Sequence, residues 1–225
     1  MNSKAVIFGD SILRGIILND EMKYRISSDI NYEKIEKELD IKIINYAKMG
    51  CTITKGKKVI DSVLEKEPNI KYALIEYGGN DCDYDWSAVA EVASKAYLPK
   101  TPVEDFEQNL IAIIEALKSR GIKPILMTLP PINAEKYFKW ICRNITSVSN
   151  VMYFLGDVDI IYRRQELYSN VIASIGYRMG VDVVDIRNEF LIRNDFPELL
   201  CEDGIHLNDQ GRDVMIQSFI RKYKK

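Results

Sequence analysis

The sequence predicts an α/β fold in which a parallel sheet is covered by helices on both faces. Three observations lead there. Five short apolar runs recur along the 225 residues; each has the length and the Gly, Pro or Asp boundaries of a buried strand. Segments with helical spacing separate these runs, and such alternation implies parallel strands with helices packed on both sides. Finally, Gly9-Asp10-Ser11, the loop containing Gly50, and Gly78-Gly79-Asn80-Asp81 each follow the end of an apolar run. In parallel sheets the ligand site lies beyond the carboxyl ends of the strands.

The elements follow in order. Residues 4–8 form the first predicted strand, ending at Gly9-Asp10-Ser11. Residues 32–39 read as a charged surface helix, 41–46 as the second strand, and 47–51 as a loop. A helix over 57–67 is stopped by Pro68, and the third strand covers 72–77. Thr101-Pro102-Val103-Glu104 predicts a helix start, with Thr101 as N-cap, Pro at the first helical position and Glu three residues after the cap. Phe106, Leu110, Ile113, Ile114 and Leu117 keep helical spacing up to Gly121. The fourth strand is placed at 124–129, a helix at 164–179 closed by Gly180, and the fifth strand at 181–185. The last helix covers 209–223, with Asn208 as cap and Ile216, Phe219, Ile220 and Tyr223 as its apolar stripe. Two excursions, residues 82–100 and 130–163, exceed ordinary connections; segments of that length beside a site often serve as lids or binding walls.

Length and composition fit one domain over residues 1–225, with 47% hydrophobic and 28% charged residues. The formal net charge of −2 gives no electrostatic case for nucleic acid or an anionic membrane as partner. The basic run at residues 221–225 reads as the solvated last turn of a helix. No apolar stretch approaches the roughly 20 residues needed to span a bilayer, and the N-terminus has no signal-peptide pattern, so a cytoplasmic location is expected. Cys51, Cys82, Cys142 and Cys201 form no C-x-x-C pair; with a single histidine no zinc pattern arises, and free, packed thiols are the expected state.

That single histidine, His206, must supply any imidazole chemistry. Asp203 lies three positions before it, close enough for a carboxylate and an imidazole to meet across one turn. A serine hydroxyl such as that of Ser11 is a weak nucleophile unless a base takes its proton, and Ser, His and an orienting Asp are the three parts needed. Each motif alone has a bland reading: Gly-Asp-Ser as a turn, Gly-Gly-Asn-Asp as another, Asp203 and His206 as a surface pair. Their order carries more weight. Phe8-Gly9-Asp10-Ser11, then Gly50, then Gly78-Gly79-Asn80-Asp81, then Asp203-Gly204-Ile205-His206 resembles the four blocks of the SGNH hydrolases, also called GDSL esterases/lipases. Ile12 stands where the family's first block commonly has Leu. The G-x-S-x-G elbow of the α/β-hydrolases is absent.

The resemblance implies a flavodoxin-like, three-layer α/β/α sandwich with a five-stranded parallel sheet in the order 2-1-3-4-5. It implies Ser11 as nucleophile, His206 as base and then acid, and Asp203 as the residue that orients the imidazole. It implies an oxyanion hole built from the Ser11 and Gly50 backbone N–H groups and the Asn80 amide. Glycine at 50 is expected to permit close backbone approach, and Asn80 to offer a neutral donor to developing charge. Asp10 and Asp81 are expected to be scaffolding carboxylates, and Cys51 a small packed residue. Activity is expected to rise with pH as the imidazole loses its proton.

The expected function is that of a serine esterase, hydrolysing a small-molecule carboxylic ester through an acyl-serine intermediate, without cofactor or metal. A short acyl group such as acetyl on a carbohydrate or other polar alcohol is preferred. The alternatives are a lysophospholipase, lipase or thioesterase with the same residues, or a non-catalytic carbohydrate- or protein-binding module. Most aromatics of the two excursions (Tyr84, Trp86, Tyr97, Tyr137, Phe138, Trp140, Tyr153 and Phe154) are expected to pack. Trp86 is singled out as a substrate-binding residue close to the Ser11 cleft.

Overall fold

The computed structural model describes residues 3–27 and 32–224. Its strands are β1 (Ser3–Gly9), β2 (Ile16–Leu18), β3 (Tyr24–Ile26), β4 (Ile41–Asn45), β5 (Ile70–Glu76), β6 (Lys123–Met127) and β7 (Asp182–Val184). Its α-helices are α1 (Ser11–Arg14), α2 (Tyr32–Leu39), α3 (Ile53–Lys66), α4 (Trp86–Glu91) and α5 (Val103–Ser119), followed by α6 (Ala134–Ile141), α7 (Val148–Leu155), α8 (Asp159–Met179), α9 (Ile186–Leu191) and α10 (Asp209–Tyr223).

Five strands pair in parallel in the order β4-β1-β5-β6-β7, which is 2-1-3-4-5 when those five are counted along the chain. Alternation along β1 explains the two cores. Val6 and Phe8 face α3, α5 and α8, in a cluster with Ile60, Leu110, Ile114 and Ile172. Ile7 faces the other way, toward Phe190 of α9 and Met215 and Phe219 of α10. The α5 stripe is buried as its spacing predicts, from Phe106 to Leu117. Asn208 caps α10 by accepting from the Gly211 N–H at 3.0 Å. Arg221 and Lys222 occupy the last turn of α10; Lys225 lies outside the described residues.

Several expectations need correction. Thr101 is not the N-cap of α5: the helix begins at Val103 and Pro102 precedes it. The threonine is instead tied inward, its N–H donating to the Asp81 carbonyl at 3.0 Å. The helix expected over 57–67 starts earlier, at Ile53, because the Asp81 carboxylate receives the Ile53 N–H at 2.9 Å. The helix expected from 164 begins at Asp159. The short helix α1 and the β2–β3 hairpin, with three residues per strand, were not legible in any period.

The two excursions are built rather than loose. Residues 82–100 carry α4, and residues 130–163 carry α6, α7 and the start of α8. They bury Tyr84, Trp86, Val89, Ile132, Val151, Leu155 and Ile161 against one another, with Tyr97, Tyr137, Phe138 and Phe154 packed around them. The packing expectation therefore describes most of these aromatics; Tyr153 departs from it at 74% exposure. The four cysteines are free thiols, three of them buried.

Candidate active site

Strand β1 ends at Gly9, and Asp10 then caps α1, its Oδ1 accepting from the Ile12 N–H at 2.9 Å. That sharp strand-to-helix change leaves Ser11 on the first turn, at the carboxyl edge of the sheet. On the other side of the site, the segment 200–207 folds back on itself. The Cys201 N–H donates to the His206 carbonyl at 2.8 Å, and Gly204 turns at φ 75°.

The structure brings Ser11, His206 and Asp203 into one line. Ser11 Oγ lies 2.8 Å from His206 Nε2, and His206 Nδ1 lies 2.6 Å from Asp203 Oδ2. The second Asp203 oxygen accepts the backbone N–H groups of Ile205 and His206, both at 3.1 Å. Asp203 is fully buried and His206 is 4% exposed. Burial pushes the Asp203 carboxyl up, but its bonds to the His206 ring and backbone and to Ile205 outweigh burial and hold it below the usual range. An ionised Asp203 accepts from Nδ1–H, so Nε2 carries the lone pair that faces the Ser11 hydroxyl.

Gly50 and Asn80 line the same cavity as Ser11 and His206, a space of about 200 Å³. Gly50 turns at a left-handed φ of 68°, which favours glycine, and a Cβ there would meet no protein atom within 4 Å. Asn80 is aimed by Asp10, whose Oδ2 accepts one amide N–H at 2.8 Å. Asp10 is thus a scaffold for two elements of the site, and Asp81 a scaffold for α3 and Thr101. Trp86 lines the cavity too, its indole N–H donating to Asp83 Oδ1 at 2.7 Å.

Two residues escaped sequence reasoning. Glu76, at the end of β5, is buried beside Asp10 and accepts its backbone N–H at 3.4 Å. Burial, then the charge of Asp10, holds the Glu76 carboxyl well above the usual range. A lone carboxylate closing an apolar strand was the available signal. Tyr24, on the hairpin, places its ring 5.0 Å from the His206 ring, and burial, then the charge of Asp203, pushes its hydroxyl up. Trp140 packs on the other side of Tyr24 at 5.7 Å. No motif or spacing announces Tyr24.

The model of the GDSL-like lipase/acylhydrolase family matches residues 7–214, nearly the whole chain. The chain belongs to this family. It is accordingly a serine hydrolase acting on ester bonds. Among its GDSL relatives, the GDSL esterase/lipase WDL1 of rice (Oryza sativa subsp. japonica) is 28% identical over 98% of this chain and 77% of its own length. The isoamyl acetate-hydrolyzing esterase of Saccharomyces cerevisiae is 23% identical over 97% of this chain and 84% of its own. Among GDSL-type structures, the Enterococcus faecalis lipase/acylhydrolase superposes with a TM-score of 0.70 at 20% identity, covering 100% of this chain and 96% of that one. A catalytic mutant of Axe2, an acetylxylan esterase from Geobacillus stearothermophilus, gives 0.66 at 17% identity, covering 98% and 94%. At such identities the superpositions speak for the fold.

Proposed function

We propose that Ser11 is the nucleophile of a short-acyl esterase, with His206 as base and Asp203 as its orienting carboxylate. The observation that carries this reading is the unbroken line Ser11 Oγ, His206 Nε2, His206 Nδ1, Asp203 Oδ2, with contacts of 2.8 and 2.6 Å. His206 takes the Ser11 proton as Oγ attacks the ester carbonyl. The tetrahedral oxyanion then sits among the Ser11 and Gly50 backbone N–H groups and the Asn80 amide. His206 passes the proton to the departing alcohol, leaving an acyl-serine. Water, deprotonated by the same imidazole, releases the acid and restores Ser11.

The size of the cavity supports a short acyl group. A cavity of roughly 150 Å³ holds a benzene molecule, so about 200 Å³ suits an acetyl-sized group with part of its alcohol better than a long chain. The aromatic wall of Tyr84, Trp86 and Tyr137 suits the face of a sugar ring or another flat, polar alcohol. Acetate esters named for the yeast and Geobacillus proteins point the same way. A second reading, a longer-acyl lipase or thioesterase, has one observation in its favour: Leu129, Ile132, Leu155 and Ile161 also line the cavity.

A panel of esters graded by acyl length, on sugar and on lipid alcohols, separates these readings. Acetyl and propionyl esters should be turned over faster than octanoyl esters. Preference for octanoyl would replace the short-acyl reading with the second. Turnover of no ester in the panel would leave the scaffold as a binding module.

A further inference from the structure

We propose that Glu76 is a positioning residue for ester hydrolysis: in its protonated form it steadies Asp10, and through Asp10 both the Asn80 amide and the turn that carries the Ser11 N–H. The proposal rests on the hydrolase reading of the cavity and adds a residue that acts on its oxyanion side through another.

Gly9 and Glu76 stand side by side at the carboxyl ends of β1 and β5. Glu76 is 1% exposed and lines the cavity together with Asp10, Ser11 and Asn80. Its Oε2 accepts the Asp10 backbone N–H at 3.4 Å. The chain is shaped to admit this side chain: a Cβ on Gly9 would lie 3.0 Å from the Glu76 carbonyl oxygen and 3.1 Å from Oε2. Glycine at the head of Gly9-Asp10-Ser11 therefore leaves room for the acid behind it. Asp10 hands the geometry on. One carboxylate oxygen accepts the Ile12 N–H at 2.9 Å and fixes the turn that presents Ser11; the other accepts the Asn80 amide at 2.8 Å.

The surroundings of Glu76 favour the neutral acid. Its Oε1 is enclosed and meets no partner among the described residues. An ionised carboxylate in that position would be costly. The charges that bear most on Glu76 belong to Asp10 and Asp81, both acids. Neighbouring carboxyls do not both ionise readily, so a proton on Glu76 lets Asp10 keep the negative charge that draws the Asn80 N–H. The Tyr32 hydroxyl of α2 and the Tyr77 hydroxyl just after β5 also feel Glu76; burial raises both above the ordinary tyrosine range, so they stay neutral. His206 bears on Asp10 from across the cavity. Loss of the Glu76 proton would set two carboxylates against each other and push Asp10 away from its two partners. The active form is thus the protonated one, and activity is lost as pH rises through the folded value of Glu76.

The test is the pH dependence of phenyl acetate hydrolysis by the wild-type chain, Glu76→Gln and Glu76→Ala, over the range in which circular dichroism shows each folded. Wild-type kcat should rise as His206 loses its proton and fall again in more alkaline solution. Glu76→Gln, neutral at every pH, should lack that fall. At neutral pH, Glu76→Ala should lower kcat by about tenfold with little change in KM, as loss of a hydrogen bond to a buried group would, and Glu76→Gln should recover most of the loss. A wild-type profile without the alkaline fall, a fall that persists in Glu76→Gln, or wild-type kcat in Glu76→Ala would overturn the proposal. If Glu76→Ala does not fold, the Glu76→Gln profile decides alone. Nuclear magnetic resonance keeps the two readings apart. The Asn80 side-chain amide signal, identified by its absence from Asn80→Ala, should move in alkaline solution in the wild type and stay still in Glu76→Gln. With that shift but no ester turned over, the positioning role stands and the hydrolase reading fails. A signal that ignores Glu76 overturns the positioning role, whether or not esters are hydrolysed.

Discussion

At the scale of single residues, the site is a chain of hydrogen bonds in which each group aims the next. Asp10 aims Asn80, so two substitutions should look alike. Asn80→Ala removes the proposed oxyanion donor and should lower kcat by about 10²–10³-fold. Asp10→Ala should approach that loss and also lower stability by roughly 1 kcal/mol, because the cap of α1 goes with it. Stopped-flow ester hydrolysis together with urea titration separates the two effects; a fully active Asp10→Ala protein would break the link. Tyr24 acts one step further out, on Asp203 and the His206 ring. Tyr24→Phe keeps the ring and loses the hydroxyl near Asp203, so a fall of no more than about fivefold in kcat is expected. Ser11, Asp203 and His206 were legible because they stand in ordered motifs, Ser11 at a strand end and Asp203 and His206 just before the last helix. Tyr24 was not, because its role comes from a tertiary contact, not from its neighbours in sequence.

At the scale of elements, the segment that carries Asp203 and His206 depends on a close approach. Gly204 turns at φ 75°, and a Cβ there would lie 2.6 Å from the Asn133 carbonyl oxygen. The Gly204 carbonyl in turn accepts the Asn133 N–H at 2.8 Å, which docks the site segment on the start of α6. Gly204→Ala should therefore destabilise the protein by roughly 1–3 kcal/mol and reduce activity more than a distant mutation of equal thermal effect. A calorimetric Tm and kcat measured on the same preparation check this; an unchanged kcat would show that the segment yields without moving His206. Element types were readable where apolar spacing was long, as in α5 and α10. Starts were misplaced where a tertiary bond decides them, as when Asp81 receives the Ile53 N–H and so extends α3 to residue 53. The hairpin β2–β3 is too short to show a period at all.

At the scale of the whole molecule, the parallel sheet and its two helical layers were readable from five apolar runs, and the strand order only from the family resemblance that the ordered blocks carry. What the two excursions do was not, because their packing is made between segments distant in sequence. Carrying buried acids behind Ser11 has a consequence for the entire fold. Burial raises the Asp81 carboxyl from 3.8 to about 6, against the bonds from Thr101 and Ile53 that pull it down. A carboxyl raised in the folded state binds its proton more tightly there than in the unfolded chain, so stability falls as pH rises from about 4 to about 6. The loss attributable to Asp81 is roughly 3 kcal/mol. Asp203 has the opposite sign: held low, its contribution is present above its ordinary value and vanishes as pH falls through its folded one. Urea unfolding at pH 4.5 and pH 7 should show the decline, and Asp81→Asn should flatten it; a rise across that interval would refute the assignment. Among the described residues no helix is long and apolar enough to cross a membrane.

The central claim is that Ser11 is a nucleophile made reactive by His206. Diisopropyl fluorophosphate labelling, read by mass spectrometry of the digested protein, tests it most directly. The account predicts one equivalent of label on Ser11, and near-complete loss of labelling in His206→Ala under the same conditions. Label on another residue, none at all, or undiminished labelling of Ser11 without His206 would contradict it.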